Sequence, residues 1–292
     1  MLIARLIADA AVLSANSARA LAELAGQGIA ASIGPIAGGP GRQFSAAAGD
    51  AEAMRAALDV RFSPSDLLIA DHEPRVPQVF VSDMDSTMIA AECIDELADF
   101  AGIKPQIAAI TERAMQGELD FEAALRERVR LLAGLDESAI AECLATRIAM
   151  MPGAKVLVET LKAKGCRTVL VTGGFHQFAD PVAEELGFER VVANRLGVAD
   201  GKLTGGLVGP ITDSSVKRAV LLEEAARLGI GTVTLATGDG ANDIPMLEAA
   251  TYGIAFAAKP KARAAANGWI DRGNLTGVLE LLGIPTDEWV WE

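Results

Sequence analysis

From Pro152 onward, short apolar runs of strand character alternate with amphipathic helical stretches. Runs at 167–171, 232–236 and 253–257 read as strands, and stretches at 154–164 and 216–228 as helices. Such alternation predicts a mostly parallel sheet with helices on both faces. A further short strand at 79–81 leads straight into Ser82-Asp83-Met84-Asp85-Ser86-Thr87, and residues 89–150 then read as helix without a convincing strand. The expected fold class is therefore α/β, a doubly wound parallel sheet with a helical cap inserted after the first core strand. Residues 1–75 mix helical stripes at 18–24 and 51–58 with apolar runs at 2–8 and 67–70, and Gly38-Gly39-Pro40-Gly41 marks a turn. They are expected to form a small α/β module with a ligand-binding or dimerising role, so a homodimer is one expectation. The boundaries are 1–75 for this module and 76–292 for the second domain, with the cap at about 89–150. The polar run Asp71-His72-Glu73-Pro74 is read as the linker, and His72 as a solvated residue in it.

Composition excludes several functions. Lys and Arg number 26 against 39 Asp and Glu, a net charge of -13. Nucleic-acid binding through phosphate neutralisation needs a basic face and is not expected. The two histidines and three cysteines show no metal-binding spacing, so any metal is expected to be a hard cation held by carboxylates. Scattered cysteines indicate a reducing compartment. The apolar start, MLIARLIADAAVLSA, is interrupted by Arg5 and Asp9 and fits a strand as well as a leader. No uninterrupted apolar run reaches the ~18 residues of a membrane span. A cytoplasmic protein without membrane or nucleic-acid partners is expected.

Three polar clusters follow apolar strands directly: Asp83 to Thr87, Thr172-Gly173-Gly174, and Gly238 to Asp243. In open α/β sheets the ligand crevice lies at the carboxyl ends of the strands, so clusters far apart in sequence can meet there. Two neighbouring carboxylates, Asp83 and Asp85, repel unless a cation or shared proton separates them. Taken alone, Asp-x-Asp favours a turn or a helix cap. In Gly238-Asp239-Gly240-Ala241-Asn242-Asp243, Asp stands where a dinucleotide fingerprint needs a third Gly, so that reading fails. Asp239 and Asp243 suit magnesium, although capping alone also explains Asp243. Thr172-Gly173-Gly174 offers a hydroxyl and backbone N–H groups to a phosphate, or is an ordinary loop. His176 beside it is more often structural. Lys217 lies in an expected first helical turn, where a cation is disfavoured by about 0.3–1 kcal/mol, a cost that phosphate neutralisation would offset.

In order and spacing, Asp83-Met84-Asp85-Ser86-Thr87, Thr172-Gly173-Gly174-Phe175, Lys217 and Gly238-Asp239-Gly240-Ala241-Asn242-Asp243 resemble the four motifs of haloacid-dehalogenase-like phosphatases, over roughly residues 77 to 283. Within that superfamily the helical block resembles the cap of the phosphoserine phosphatases, through Glu92, Ala114-Met115-Gln116-Gly117-Glu118-Leu119-Asp120-Phe121 and Leu125-Arg126-Glu127-Arg128-Val129. The resemblance implies Mg2+-dependent hydrolysis of O-phosphoserine, the last step of serine biosynthesis, through an aspartyl phosphate on Asp83, with Asp85 as acid and base. It implies magnesium on the Asp83 carboxylate, the Asp85 backbone carbonyl and Asp239, supported by Asn242 and Asp243. Thr172, the Gly173 N–H, Lys217 and Asn242 would serve the phosphoryl end. Glu92 would meet the substrate amine, Arg128 its carboxylate, and Met115 and Phe121 would line the cap. Solvated or core roles explain Glu92, Arg128, Met115 and Phe121 equally simply. The family usually has Ser where Thr172 stands, and the added methyl bears on substrate fit.

Two other readings remain open on the residues. A related phosphatase or phosphotransferase would act on another small phosphate ester. A signalling receiver also phosphorylates an Asp on a doubly wound fold, but the helical insertion and Asp85 argue against it.

Overall fold

The computed structural model describes residues 1–36, 38–115 and 118–291. The N-terminal part runs β1 (Leu2–Ile7), α1 (Ala10–Gly26), β2 (Ala31–Pro35), β3 (Arg42–Ala46), α2 (Ala51–Phe62) and β4 (Asp66–Ala70). β5 (Val79–Ser82) follows, and then helices α3 (Cys93–Phe100), α4 (Lys104–Met115), α5 (Phe121–Arg130) and α6 (Ser138–Arg147). Next come α7 (Ala154–Ala163), β6 (Arg167–Phe175), α8 (His176–Leu186), β7 (Arg190–Asn194), a hairpin of β8 (Leu196–Ala199) and β9 (Lys202–Leu207), and α9 (Ser214–Leu228). The chain closes with β10 (Thr234–Gly238), α10 (Ile244–Ala249), β11 (Tyr252–Phe256), α11 (Pro260–Ala265), β12 (Gly268–Ile270) and α12 (Thr276–Leu282).

Ten strands form one sheet in the order β2-β3-β1-β4-β12-β11-β10-β5-β6-β7. From β12 to β7 all neighbours are parallel, as the alternation of strands and helices predicts. The four N-terminal strands are antiparallel to one another, and β4 joins the core by pairing antiparallel with β12. Strand alternation sends Leu67, Ile69, Val79, Val81 and Val169 into one apolar layer and Leu68, Phe80, Leu170 and Ile254 into the other. Both layers run without a break from the N-terminal strands into the parallel core.

The β4–β12 seam is closely fitted. A methyl group at Gly268 would come within 2.6 Å of the Leu67 carbonyl oxygen, so only glycine allows this approach. Trp269 is fully buried there, with the Arg263 guanidinium 3.8 Å above its ring. Arg263 in turn binds both Asp59 oxygens at 2.8 Å and Asp271 at 2.8 Å, tying α2 to the end of β12. His72, expected to be solvated, instead stacks on Tyr252 with ring centroids 5.7 Å apart, its Nε2 3.0 Å from the phenol oxygen. A buried partner from β11 was invisible in the polar sequence around it.

Asp66 makes the seam sensitive to pH. Its carboxylate accepts the Asp271 and Arg272 N–H groups, each at 3.0 Å. Burial outweighs these donors and raises its pKa to about 6. The folded protein then holds a proton that the unfolded chain has released, so stability falls as pH rises from about 4 to about 6, by on the order of 3 kcal/mol. Asp66→Asn, which keeps an acceptor for both N–H groups, is expected to flatten this slope and to raise the melting temperature above pH 7. Denaturant titrations at several pH values test this; an unchanged slope contradicts it.

Candidate active site

The chain leaves β5 for β6 on one side and returns to β10 on the other, so the topological switch point lies between β5 and β10. At such a point the loops leaving adjacent strands diverge and open a crevice. Asp83 follows β5, Thr172 lies near the end of β6 and Asp239 follows β10. Parallel pairing brings all three to the same edge of the sheet.

After β5 the chain turns sharply. The Met88 and Ile89 N–H groups donate to the Met84 carbonyl at 2.8 and 3.1 Å. Ser86 takes φ +56°, an uncommon and strained value for a residue with a Cβ. This turn sends the chain up into the helical block. Asp85 Oδ1 accepts the Cys93 N–H at 2.9 Å, and Thr172 Oγ1 donates to Asp85 Oδ2 at 3.3 Å. Asp85 is thus oriented from both the core and the helical block.

Lys217, four residues after the Asp213 N-cap of α9, is 1% exposed. Its Nζ lies 2.7 Å from Asp83 Oδ1 and 2.7 Å from Asp243 Oδ1. Burial pulls the ammonium pKa down, but Asp83 and Asp243 outweigh it and keep the group charged. The helix-terminal cost that the sequence implied is met by these two carboxylates. Asp243 Oδ2 also accepts the Asp239 and Gly240 N–H groups at 3.2 and 3.0 Å, which fixes the loop after β10. Burial, then repulsion from Asp243, raises the Asp83 pKa well above the carboxylate range. Burial does the same, less strongly, to Asp85 and Asp239.

Side-chain oxygens of Asp83, Asp239 and Asp243 all lie within 4.8 Å of one another. Lys217 compensates only part of this buried negative charge. Hard oxygen donors with residual negative charge fit a divalent cation, so the residues present suit a metal. Asp85 stands outside this group, its side chain turned to the Cys93 N–H and the Thr172 hydroxyl and not to Lys217.

Above this floor lies a cavity of about 140 Å³, lined at its base by Asp83, Asp85, Thr172, Gly173, Asp239 and Asn242. Its upper wall comes from the helical block, with Glu92, Ile94, Phe121, Leu125 and Arg128. A methyl group at Gly173 would approach the Phe121 ring to 3.3 Å, and one at Gly174 would meet Asp85 Oδ2 at 2.8 Å. Glu92 accepts a hydrogen bond from Ser86 Oγ at 2.8 Å. Burial, then the nearby Asp85, raises its pKa to about 7. Burial also lowers the Arg128 pKa, although Asp95 and Glu92 oppose this. Among the described residues Arg128 forms no ion pair, and its Nε donates only to the Ala124 carbonyl at 3.3 Å. The structure therefore gathers Asp83, Asp85, Glu92, Arg128, Thr172, Gly173, Asp239 and Asn242 around one cavity, with Lys217 buried beneath it. The Met115 side chain, with Gln116 and Gly117 of the cap signature, lies outside the described residues. Sequence reasoning gave no role to Lys259, whose Nζ is 3.8 Å from Asp239 Oδ2, or to Asn194. An isolated Lys and an isolated Asn carry no signal until the fold places them.

These features define a hydrolase built on a carboxylate-lined switch point, and the comparisons agree. The family of haloacid dehalogenase-like hydrolases matches residues 80–248. The chain belongs to this family. A phosphoserine phosphatase of Polaromonas sp. is 42% identical over 231 residues, which cover 77% of this chain and 96% of that protein. A crystal structure of a haloacid dehalogenase family hydrolase from Salmonella enterica serovar Typhi superposes with a TM-score of 0.84 at 28% identity, covering 97% of this chain and 99% of that one. A phospho-aspartyl intermediate analogue of a phosphoserine phosphatase superposes with a TM-score of 0.64 at 38% identity, covering 70% of this chain and 99% of that one. No helix of the described residues is long and apolar enough to cross a membrane.

Proposed function

We propose that the chain is a magnesium-dependent phosphoserine phosphatase that releases L-serine and phosphate from O-phospho-L-serine. The observation that carries this reading is the polarity of one small cavity. Its base offers Asp83, Thr172 and the Gly173 backbone above the buried Lys217, and its upper wall offers one acid, Glu92, and one base, Arg128, without an ion pair among the described residues. A small phosphorylated zwitterion has the charges that match both ends. At about 140 Å³ the cavity is well below the roughly 300–1,000 Å³ of sites for drug-sized ligands.

In this reading the Asp83 carboxylate attacks phosphorus, and the bond from phosphorus to the serine oxygen breaks. Asp85, whose raised pKa favours the protonated form, donates its proton to that oxygen. Asp85 then takes a proton from water as the water attacks the aspartyl phosphate, freeing phosphate and regenerating Asp83. Thr172, the Gly173 N–H and Lys217 hold the phosphoryl oxygens, with Asn242 beside them. Magnesium held by Asp83, Asp239 and the Asp85 carbonyl, with Asp243 adjacent, would supply neutralisation of the charge on the transferring group. Three unpaired cysteines, Cys93, Cys143 and Cys166, support the cytoplasm as its compartment.

A substrate panel tests the assignment: O-phospho-L-serine is expected to exceed phosphohomoserine and sugar phosphates in kcat/KM. Equal or better turnover of a sugar phosphate would favour another small ester. Glu92→Gln is expected to lower kcat/KM for phosphoserine by roughly 10- to 100-fold, the loss of one charge-assisted contact. With the Glu92 pKa raised to about 7 by burial in the cavity wall and by Asp85, native kcat/KM is expected to fall as pH drops through about 7, where protonation removes the charge that attracts the amine. Glu92→Gln should lack this acid limb, and its persistence in the variant would remove Glu92 from the amine contact. For residues 1–75 we propose a role as an extension that completes the sheet at β12.

A further inference from the structure

Asn194 ends β7 and is 1% exposed. Its side chain joins two segments that are distant in sequence. Nδ2 donates to the Gly173 carbonyl at 2.8 Å, and Oδ1 accepts the Thr212 N–H at 2.8 Å. The ladder between β6 and β7 is interrupted between Val171 and Phe175, and the Asn194–Gly173 bond lies inside that interruption.

The first bond acts beyond Gly173. Its carbonyl and the Gly174 N–H are two ends of one planar peptide. That N–H donates to Thr172 Oγ1 at 2.9 Å, and Thr172 Oγ1 donates to Asp85 Oδ2 at 3.3 Å. Fixing the peptide plane therefore fixes the direction of the Thr172 hydroxyl. The second bond anchors Thr212, the residue before the Asp213 N-cap of α9, the helix that carries Lys217. One buried amide thus joins the Thr172–Gly173 loop to the segment that leads into α9.

We propose that Asn194 is a positioning residue, holding the Thr172–Gly173 loop and the start of α9 at the separation at which Thr172, the Gly173 N–H and Lys217 grip one phosphoryl group. The inference rests on the phosphatase reading of the cavity but not on serine as the leaving group. Asn194→Asp keeps an acceptor for Thr212 and turns an oxygen toward the Gly173 carbonyl, replacing attraction with repulsion. Asn194→Ala removes these bonds, together with a longer one from Nδ2 to the Thr212 carbonyl at 3.5 Å, without adding charge, and carries the test if the Asp variant does not fold.

The test measures inhibition by inorganic phosphate and by L-serine, with kcat and KM, for native protein and both variants in magnesium buffer. Thermal melting confirms that each is folded. Expected are phosphate inhibition weaker by about ten- to a hundredfold and a lower kcat, with inhibition by L-serine unchanged. A merely structural role would reduce the active fraction and leave both inhibition constants where they were. Folded variants that keep native phosphate inhibition, or lose serine and phosphate inhibition equally, overturn the inference alone. Native protein that releases no phosphate from small phosphate esters overturns the phosphatase reading and this inference with it.

Discussion

Asp83→Asn is expected to abolish phosphate release and to leave the folded protein at least as stable as the native one in metal-free buffer. An amide cannot attack phosphorus, so the two-step route through an aspartyl phosphate closes, with a loss of roughly 10⁴-fold or more. Stability moves the other way because the native charge is unfavourably placed. Asp83 is 4% exposed, faces Asp243 and Asp239, and shares a single buried ammonium with Asp243. Removing one of these negative charges leaves Lys217 paired with Asp243 and relieves part of the desolvation cost. Turnover assays with thermal melting read both effects. An active variant would remove Asp83 from the chemistry, and an inactive but clearly destabilised one would contradict the electrostatic account.

Deleting residues 1–75 is expected to leave a chain that aggregates or melts far below the native protein. The 70% of this chain matched by the phosphoserine phosphatase structure above shows that the family's fold needs no more than such a length. In this chain, however, the sheet edge at β12 has been built against β4. Leu67, Leu68 and Trp269 are fully buried at the seam, and α12 packs against β1 and β4. Each large side chain uncovered on deletion loses about 1.5–3 kcal/mol, so a few of them approach the 5–15 kcal/mol that a whole domain possesses. Deletion also leaves a three-residue strand as an open edge. Circular dichroism melts and light scattering of the truncated chain provide the test. A monomer with native-like melting and kinetics would show that the N-terminal part is an appendage.

The site was legible in the sequence because its chemistry follows strand ends. Asp83, Thr172 and Asp239 each follow an apolar run, and the parallel sheet brings such positions together without any knowledge of side-chain contacts. Lys217 was legible for a different reason, as a cation where a helix start disfavours one. The seam was not. β4 was readable as a strand, but its partner is a strand of three residues, Gly268–Ile270, too short to show a period. β2 and β3 were also missed around the turn at Gly38–Gly41, since their half-buried residues alternate weakly. The β8–β9 hairpin was missed for lack of any apolar run. Asn194 had no local signal, because its role depends on a carbonyl and an N–H from two other segments.

The most direct test of the account is phosphate release from O-phospho-L-serine by the native protein, with magnesium and with a chelator. Turnover that requires the metal and returns when magnesium is restored is the predicted result. A well-folded protein that releases no phosphate from this substrate in magnesium, or releases it equally in chelator, would contradict the account.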